Sequence, residues 1–179
     1  MHILMSGAGI AGLASALELA TRGHDITIVE FARHLRLEGT PVDVRGDAIA
    51  TVAGMGLIEK VREQRLQMSE SSHFVDSDGE SVGRVPLAEM SDADDIEILR
   101  EDLMRILVAA LPDAVTIRFD DSIQLLNDDG GEVRVRFGSG RTGQYDLVLG
   151  ADGQHSAVRR LVFGPDEGFL RHLGVYFAL

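Results

Sequence analysis

The chain has 179 residues, close to half of them apolar and about a quarter charged, which is ordinary globular composition with room for one core and the start of a second. Its formal net charge of −12 speaks against a nucleic-acid surface, whose signature is a basic patch, and is read as a solubility feature. There is no cysteine, which excludes disulfides, thiolate catalysis and Cys-type zinc sites, and the histidines are too scattered to form a ligand pair, so no protein-bound metal is expected.

The run from His2 to Leu17 carries no charge. It lacks a basic leader region, holds glycines at phosphate-loop spacing and turns amphipathic at Glu18, so it reads as folded structure rather than a signal peptide. No stretch approaches the roughly 20 apolar residues of a membrane-spanning helix, and the cytoplasm is the expected compartment. Residues 2–6 are predicted as a strand. Ile10, Leu13, Ala14 and Leu17 then form the stripe of a helix lying on a sheet, which Gly23 ends as a left-handed cap. Residues 25–30 are a second strand, parallel to the first because a helical crossover joins them.

Residues 31–46 lack periodicity and form a long excursion. Asp47 is expected to cap a helix through Ala48, Ile49, Val52 and Ala53, broken at Gly54 and Gly56 and resumed over 57–65. Residues 67–86 read as two strands around the turn Asp76-Ser77-Asp78-Gly79. Residues 91–95 form an acidic loop outside any calcium-loop register. Residues 96–99 lead into Arg100, and Leu103, Ile106, Leu107, Ala110 and Leu111 mark a helix stopped by Pro112.

Residues 114–145 read as a β-meander, with strands at 115–117, 122–126 and 133–137 and turns at 127–131 and 138–140. The nearly apolar run 145–151 is predicted as a strand covered on both faces. It ends at Asp152-Gly153, before a short helix over 156–161, and residues 171–179 resemble the beginning of another strand.

Four features carry chemistry. Gly7, Gly9 and Gly12 follow a strand, open a helix and precede an acid about twenty residues on. A diphosphate needs close backbone N–H groups and a positive helix end, which a β-carbon at Gly7 or Gly9 would obstruct, while Gly12 lets the helix lie tight on the strand. Glu30, at the end of the second strand, is placed to accept hydrogen bonds from both ribose hydroxyls of an adenosine and disfavours a 2′-phosphate, which points to FAD or NAD. Arg100 opposes the dipole of the helix it opens, whereas Glu101 and Asp102 agree with it; a nearby anion such as a pyrophosphate, or an ion pair with a neighbouring acid, would explain it. Asp152-Gly153 lies beyond the carboxyl end of a strand, where open α/β sheets place their ligands; it serves either a ribityl or phosphate group or a strand-ending turn. His155 and Ser156 stand beside it without a nucleophile elbow, so hydrolase chemistry is set aside.

Taken together, Gly7-Ala8-Gly9-Ile10-Ala11-Gly12, Glu30, Ile98-Leu99-Arg100-Glu101-Asp102-Leu103 and the run Asp146-Leu147-Val148-Leu149-Gly150-Ala151-Asp152-Gly153-Gln154-His155-Ser156-Ala157-Val158-Arg159 resemble the FAD-dependent aromatic hydroxylases. These are the single-component flavin monooxygenases of the para-hydroxybenzoate hydroxylase fold, a group that includes tetracycline-inactivating members. The resemblance extends over essentially the whole chain and is most specific in the run 146–159. It implies an α/β fold: a Rossmann-like FAD-binding domain with a parallel sheet, a β-meander insertion and the start of a second, substrate-binding sheet. The FAD-binding domain would comprise 1–66 and 96–166, and 67–95 with 167–179 would be an incomplete substrate-side sheet.

The same resemblance implies that Gly7, Gly9, Ile10, Ala11, Gly12, Glu30, Phe31, Asp43, Arg45, Arg100, Asp152 and Gly153 bind the cofactor. Glu30 would hold the adenosine ribose, Arg100 the pyrophosphate and ribityl region, and Asp152 would serve flavin and nicotinamide. Residues 39–46, with Asp43 and Arg45, match the stretch that passes the isoalloxazine. NAD(P)H would be the co-substrate, and oxygen would form a flavin C4a-hydroperoxide that hydroxylates an aromatic or polyketide-like small molecule, the protein positioning the ring and excluding water. No catalytic side chain is assigned; Phe74, Arg84 and Pro86 are the local candidates for substrate contact. Relatives run to roughly twice this length and carry a later Gly-Asp motif and a long C-terminal helix that nothing here matches, so a dimer or a complementing C-terminal portion is an expected partner, and neither nucleic acid nor a membrane is. A truncated, non-catalytic FAD- or nucleotide-binding module and a flavin halogenase or reductase of the same fold stand as alternatives.

Overall fold

The computed structural model describes residues 1–66, 71–86 and 94–175. These fall into two compact units, Met1–Glu38 with Leu107–Leu179, and Gly39–Ile106. In chain order the elements are β1 (His2–Ser6), α1 (Ile10–Thr21), β2 (Asp25–Val29), β3 (Val42–Val44), α2 (Asp47–Gly54), α3 (Ile58–Glu63), β4 (Ser71–Val75), β5 (Ser81–Pro86), β6 (Ile96–Ile98), α4 (Arg100–Ala110), β7 (Val115–Arg118), β8 (Ile123–Asp128), β9 (Val133–Phe137), β10 (Thr142–Tyr145), β11 (Leu147–Gly150) and α5 (Ala157–Phe163), followed by a 3-10 turn at Asp166–Gly168.

The first unit is built on a parallel sheet of order β11-β1-β2-β7. Its two central strands are made of residues that can be buried on either face: Ile3, Leu4, Met5, Ile26, Ile28 and Val29 are all nearly inaccessible. Each such side chain contributes about 2 kcal/mol by leaving water. Helix α1 packs against β1, β2 and β7 through its buried stripe of Gly12, Leu13, Ala16, Leu17 and Ala20. A second apolar cluster joins Leu4 and Val29 of the sheet to Ile123, Val135, Phe137 and Tyr145 of the antiparallel sheet β10-β9-β8 and to Val158 of α5. The parallel sheet is thus covered by a helix and by a meander, and its strand ends remain available to carry a site.

In the second unit, β3 pairs antiparallel with β6, Val42 opposite Ile98 and Val44 opposite Ile96. The hairpin β4–β5 pairs Ser71 with Pro86 and His73 with Arg84. Its turn is fixed by Asp76, whose Oδ1 accepts from the Asp78 and Glu80 amides at 3.0 and 2.9 Å.

The structure corrects several sequence expectations. Residues 115–117 do not belong to the meander: β7 pairs in parallel with β2, Ile26 opposite Val115 and Ile28 opposite Ile117. The cause is topological, since α4 returns the chain to the open edge of β2 before the meander starts. The predicted strand 145–151 is split by Asp146, which accepts from the His2 amide at 2.6 Å, and β11 is an edge strand, so Leu147 is exposed and Val148 and Leu149 are half-buried rather than covered on both faces. Asp47 is the first residue of α2, not its cap; Gly46 occupies the N-cap and no side chain caps the helix. Strand β8 runs on to Asp128, which moves the following turn to 129–132. Strand β3, only three residues long, lies in the excursion where periodicity has too few positions to register. Residues 171–175 hold no regular structure. Residues 67–70, 91–93 and 176–179, parts of the expected strand pair, acidic loop and final strand, lie outside the described residues.

Candidate functional site

The glycine turn after β1 is shaped by two different demands. The Gly7 amide donates to the Val29 carbonyl at 2.8 Å, and Gly7 adopts φ +102°, a region that other residues rarely enter. A β-carbon there would lie 2.5 Å from the Ala151 carbonyl oxygen, because the Ala151 amide donates to Ser6 at 2.8 Å and brings the turn after β11 alongside. A β-carbon on Gly12 would overlap the Gly7 carbonyl oxygen. Gly7 and Gly12 are therefore required by the fold itself. Gly9 is not: it caps α1 with an ordinary φ of −77°, and its β-carbon would meet nothing within 4 Å. The space in front of Gly9 is left open by the protein.

That space faces the start of α1. The first-turn amides of a helix have no acceptor four residues back and sit at the positive end of its dipole. No acid stands in the first turn of α1 to compensate them. Ile10, Ala11 and Gly12 thus present amides where Gly9 leaves room, which is the requirement for a diphosphate. The residues present fit the nucleotide part of a dinucleotide cofactor.

Glu30 follows β2 and is only 6 % exposed. Its Oε2 accepts from the Ala8 amide at 2.7 Å and its Oε1 from the Ala32 amide at 2.9 Å. The same turn is tied to the chain beyond β7: the Glu30 amide donates to Arg118 at 2.8 Å, Asp121 donates to Glu30 at 3.2 Å and Asp120 to Ala32 at 3.0 Å. Phe31, held between these bonds, projects outward and is 77 % exposed. Asp121 is itself a clamp, its carboxylate accepting from the Ser122 amide at 2.9 Å and from the Ser139 amide and hydroxyl at 3.0 and 2.6 Å. Burial pushes the Asp121 carboxyl up, but the hydrogen bonds from Ser139 and Ser122, with Arg141 nearby, outweigh it and leave the pKa below the ordinary carboxylate value.

Asp152 stands beyond β11, in the turn that Gly7 packs against. One carboxylate oxygen accepts from the Ser156 hydroxyl, and the other from the Ala157 and Val158 amides at 2.7 and 3.2 Å. Ser156 is the N-cap of α5, accepting from the Arg159 amide at 3.0 Å. Asp152 therefore closes the turn onto α5, the structural role open to it, while Gly153 (φ +77°) is unobstructed. From the first turn of α5, Arg159 reaches Asp166 at 2.6 Å and lies over the Phe169 ring; the Arg159 hydrogen bond, with Arg160, holds the Asp166 carboxyl below its usual range.

The remaining predicted residues lie in the second unit. Arg100 is the first residue of α4, half-buried, and its Cδ would lie 2.9 Å from a β-carbon on Gly39, so Gly39 makes room for that side chain. The first-turn acids Glu101 and Asp102 both pair with Arg105, at 3.4 and 3.9 Å. Asp43, opposite Glu97, and Arg45 are exposed at and just after β3. The first unit thus brings together Gly7, Gly9, Ile10, Ala11, Gly12, Glu30, Phe31, Asp152 and Gly153, and the second carries Asp43, Arg45 and Arg100. Sequence reasoning missed the Ala8 and Ala32 amides, the Ala151 carbonyl, Asp121 and the cap at Ser156. Only Ser156, a serine ahead of an apolar run, carried a readable signal. Among the described residues no cluster of His, Asp and Glu could hold a metal, and no helix is long and apolar enough to cross a membrane.

The sequence pattern of the family described as "FAD binding domain" matches residues 1–175. An uncharacterized protein of Mycobacterium tuberculosis is 42 % identical over 181 residues, covering 99 % of this chain and 48 % of its own length. A flavin-dependent monooxygenase of Legionella longbeachae is 38 % identical over 180 residues, covering 99 % of this chain and 46 % of its own. Among solved structures, that of the tetracycline destructase Tet(51) superposes with a TM-score of 0.80 at 41 % identity, over 92 % of this chain and 42 % of that one. The chain spans about half the length of the relatives it matches. The glycine turn with its open Gly9, the Rossmann-like parallel sheet and these likenesses agree: the chain belongs to the FAD-binding monooxygenase family.

Proposed function

We propose that this chain is the FAD-holding portion of a flavin-dependent monooxygenase that uses NAD(P)H and oxygen to hydroxylate an aromatic or polyketide-like small molecule. The observation that carries the reading is Gly9, whose missing β-carbon nothing in the protein fills, directly before the unpaired first turn of α1. In this reading the diphosphate lies on the amides of Ile10, Ala11 and Gly12, and the adenosine ribose lies toward Glu30 with Phe31 beside it. Arg100 would neutralise the pyrophosphate and ribityl region, and Asp152 and Gly153 would border the ribityl chain. Residues 39–46, with Asp43 and Arg45, would run along the isoalloxazine. Residues 1–66 and 96–166 would form the FAD-binding domain, and the β4–β5 hairpin would belong to the substrate side.

Bound flavin would supply the oxygen chemistry, and the protein would orient the ring and exclude water. The likeness to a tetracycline destructase favours a fused-ring polyketide or related aromatic compound as substrate. The test is a visible-spectrum titration with FAD, followed by a screen of aromatic compounds for stimulated NAD(P)H oxidation by the protein. Uptake of FAD with a perturbed flavin spectrum is expected of this chain, and substrate-stimulated oxidation of the full-length enzyme. A protein that takes up no FAD contradicts the reading.

A further inference from the structure

We infer that Glu30 is a positioning residue for the glycine turn: its carboxylate holds the turn in nucleotide-ready shape whether or not a ribose is bound. The inference rests on the proposed binding of an adenine dinucleotide at this turn and assigns Glu30 a task beyond the ribose contact. Both carboxylate oxygens are engaged by backbone, Oε2 by the Ala8 amide at 2.7 Å and Oε1 by the Ala32 amide at 2.9 Å. Ala8 is the residue between Gly7 and Gly9, and it is 3 % exposed. Its amide is therefore out of reach of water and depends on Glu30 for an acceptor. The carboxylate is in turn held where it is by the bonds that tie Glu30 and Ala32 to Arg118, Asp120 and Asp121.

The electrostatics favour the same role. A charged acceptor makes these bonds roughly twice as strong as neutral ones, and each carboxylate oxygen keeps a second lone-pair direction, so holding Ala8 and receiving a ribose hydroxyl are compatible. A glutamine at this position has one acceptor oxygen for two amides, the buried one of Ala8 and the half-buried one of Ala32. The other amide would face the glutamine NH2 group, donor against donor. The turn should then relax, and Gly9 and the amides that follow it would lose their fixed placement before any ligand arrives.

A ligand that lacks the ribose hydroxyls separates this role from a ribose contact. ADP and 2′,3′-dideoxy-ADP are titrated by calorimetry into the wild-type chain and into Glu30→Gln. If Glu30 positions the turn, the substitution weakens both ligands, the dideoxy ligand by about tenfold or more. If Glu30 serves only the ribose, the loss is confined to ADP, and a dideoxy loss under about twofold overturns the inference. Because Glu30→Gln could prevent folding, amide hydrogen exchange on the nucleotide-free wild type gives a second measurement. Slow exchange at both Ala8 and Ala32 is expected, and exchange at Ala8 as fast as in a free peptide overturns the inference. Failure of the wild-type chain to bind ADP would count instead against the nucleotide site itself, which keeps the two failures distinct.

Discussion

Two strand ends of the same sheet carry an acid, and they use it differently. Glu30, after β2, is buried and spends both oxygens on the amides of loop residues, Ala8 and Ala32. Asp152, after β11, is half-exposed and turns its oxygens onto the first residues of the short helix α5. The difference follows from what lies next to each. Glu30 sits in a turn bound to the chain beyond β7 and closes over the glycine turn, whereas Asp152 opens directly into a helix whose orphan amides need acceptors. Carboxylates at equivalent strand ends therefore act at different distances: one holds the glycine turn, the other fixes the helix that follows it.

The glycines sharpen the comparison most. Gly7→Ala forces a β-carbon onto the Ala151 carbonyl at φ +102° and should destabilise the chain by about 3 kcal/mol in urea unfolding. Gly9→Ala meets no protein atom and should cost less than about 1 kcal/mol of stability, while weakening FAD at least about tenfold, or 1.4 kcal/mol. Equal stability losses in the two variants would erase the distinction between a glycine the fold needs and one the ligand needs.

Asp121→Asn tests the clamp behind Glu30. It leaves one acceptor oxygen for the Ser122 and Ser139 amides but sets an NH2 group where the Ser139 hydroxyl donates, and removes the charge from a buried acceptor, which should cost about 2 kcal/mol. The pH dependence has a definite sign. The Asp121 pKa is lowered in the folded chain from its ordinary 3.8, so its contribution is complete above that value and is lost as pH falls through the folded pKa. Acid unfolding of the wild type should therefore steepen below about pH 4, and the Asn variant should lack that component. At the β11 end the effects are smaller. Asp152→Ala removes acceptors for two α5 amides and should cost about 1–2 kcal/mol, and Ser156→Ala, which removes the cap, about 1 kcal/mol; thermal unfolding measures both.

Much of this was legible in the sequence because it is local. Gly7, Gly9, Gly12 and Glu30 declare strand, turn, helix and strand within thirty residues, and the alternation in Val133-Arg134-Val135-Arg136-Phe137 declares a half-buried strand. What the sequence hid is long-range. Gly7 reads as a ligand glycine until Ala151, more than 140 residues away, is found against it. The partnership of Asp121 with Ser139 depends on how β8 and β9 register. Residues 115–117 have the composition of any strand, and only the open edge of β2 decides that they pair in parallel. Asp146, one acid in an apolar run, ends a strand because the His2 amide needs an acceptor there.

The space before Gly9, which no protein atom fills, is proposed to receive a dinucleotide. This is tested most directly by titrating FAD into the wild-type chain and into Gly9→Ala, following flavin fluorescence, with urea unfolding of both nucleotide-free proteins alongside. Saturable FAD binding by the wild type is expected, with at least about tenfold weaker binding by the variant and closely matched unfolding midpoints. Equal FAD affinity in the two proteins, or no binding by the wild type, would contradict this proposal.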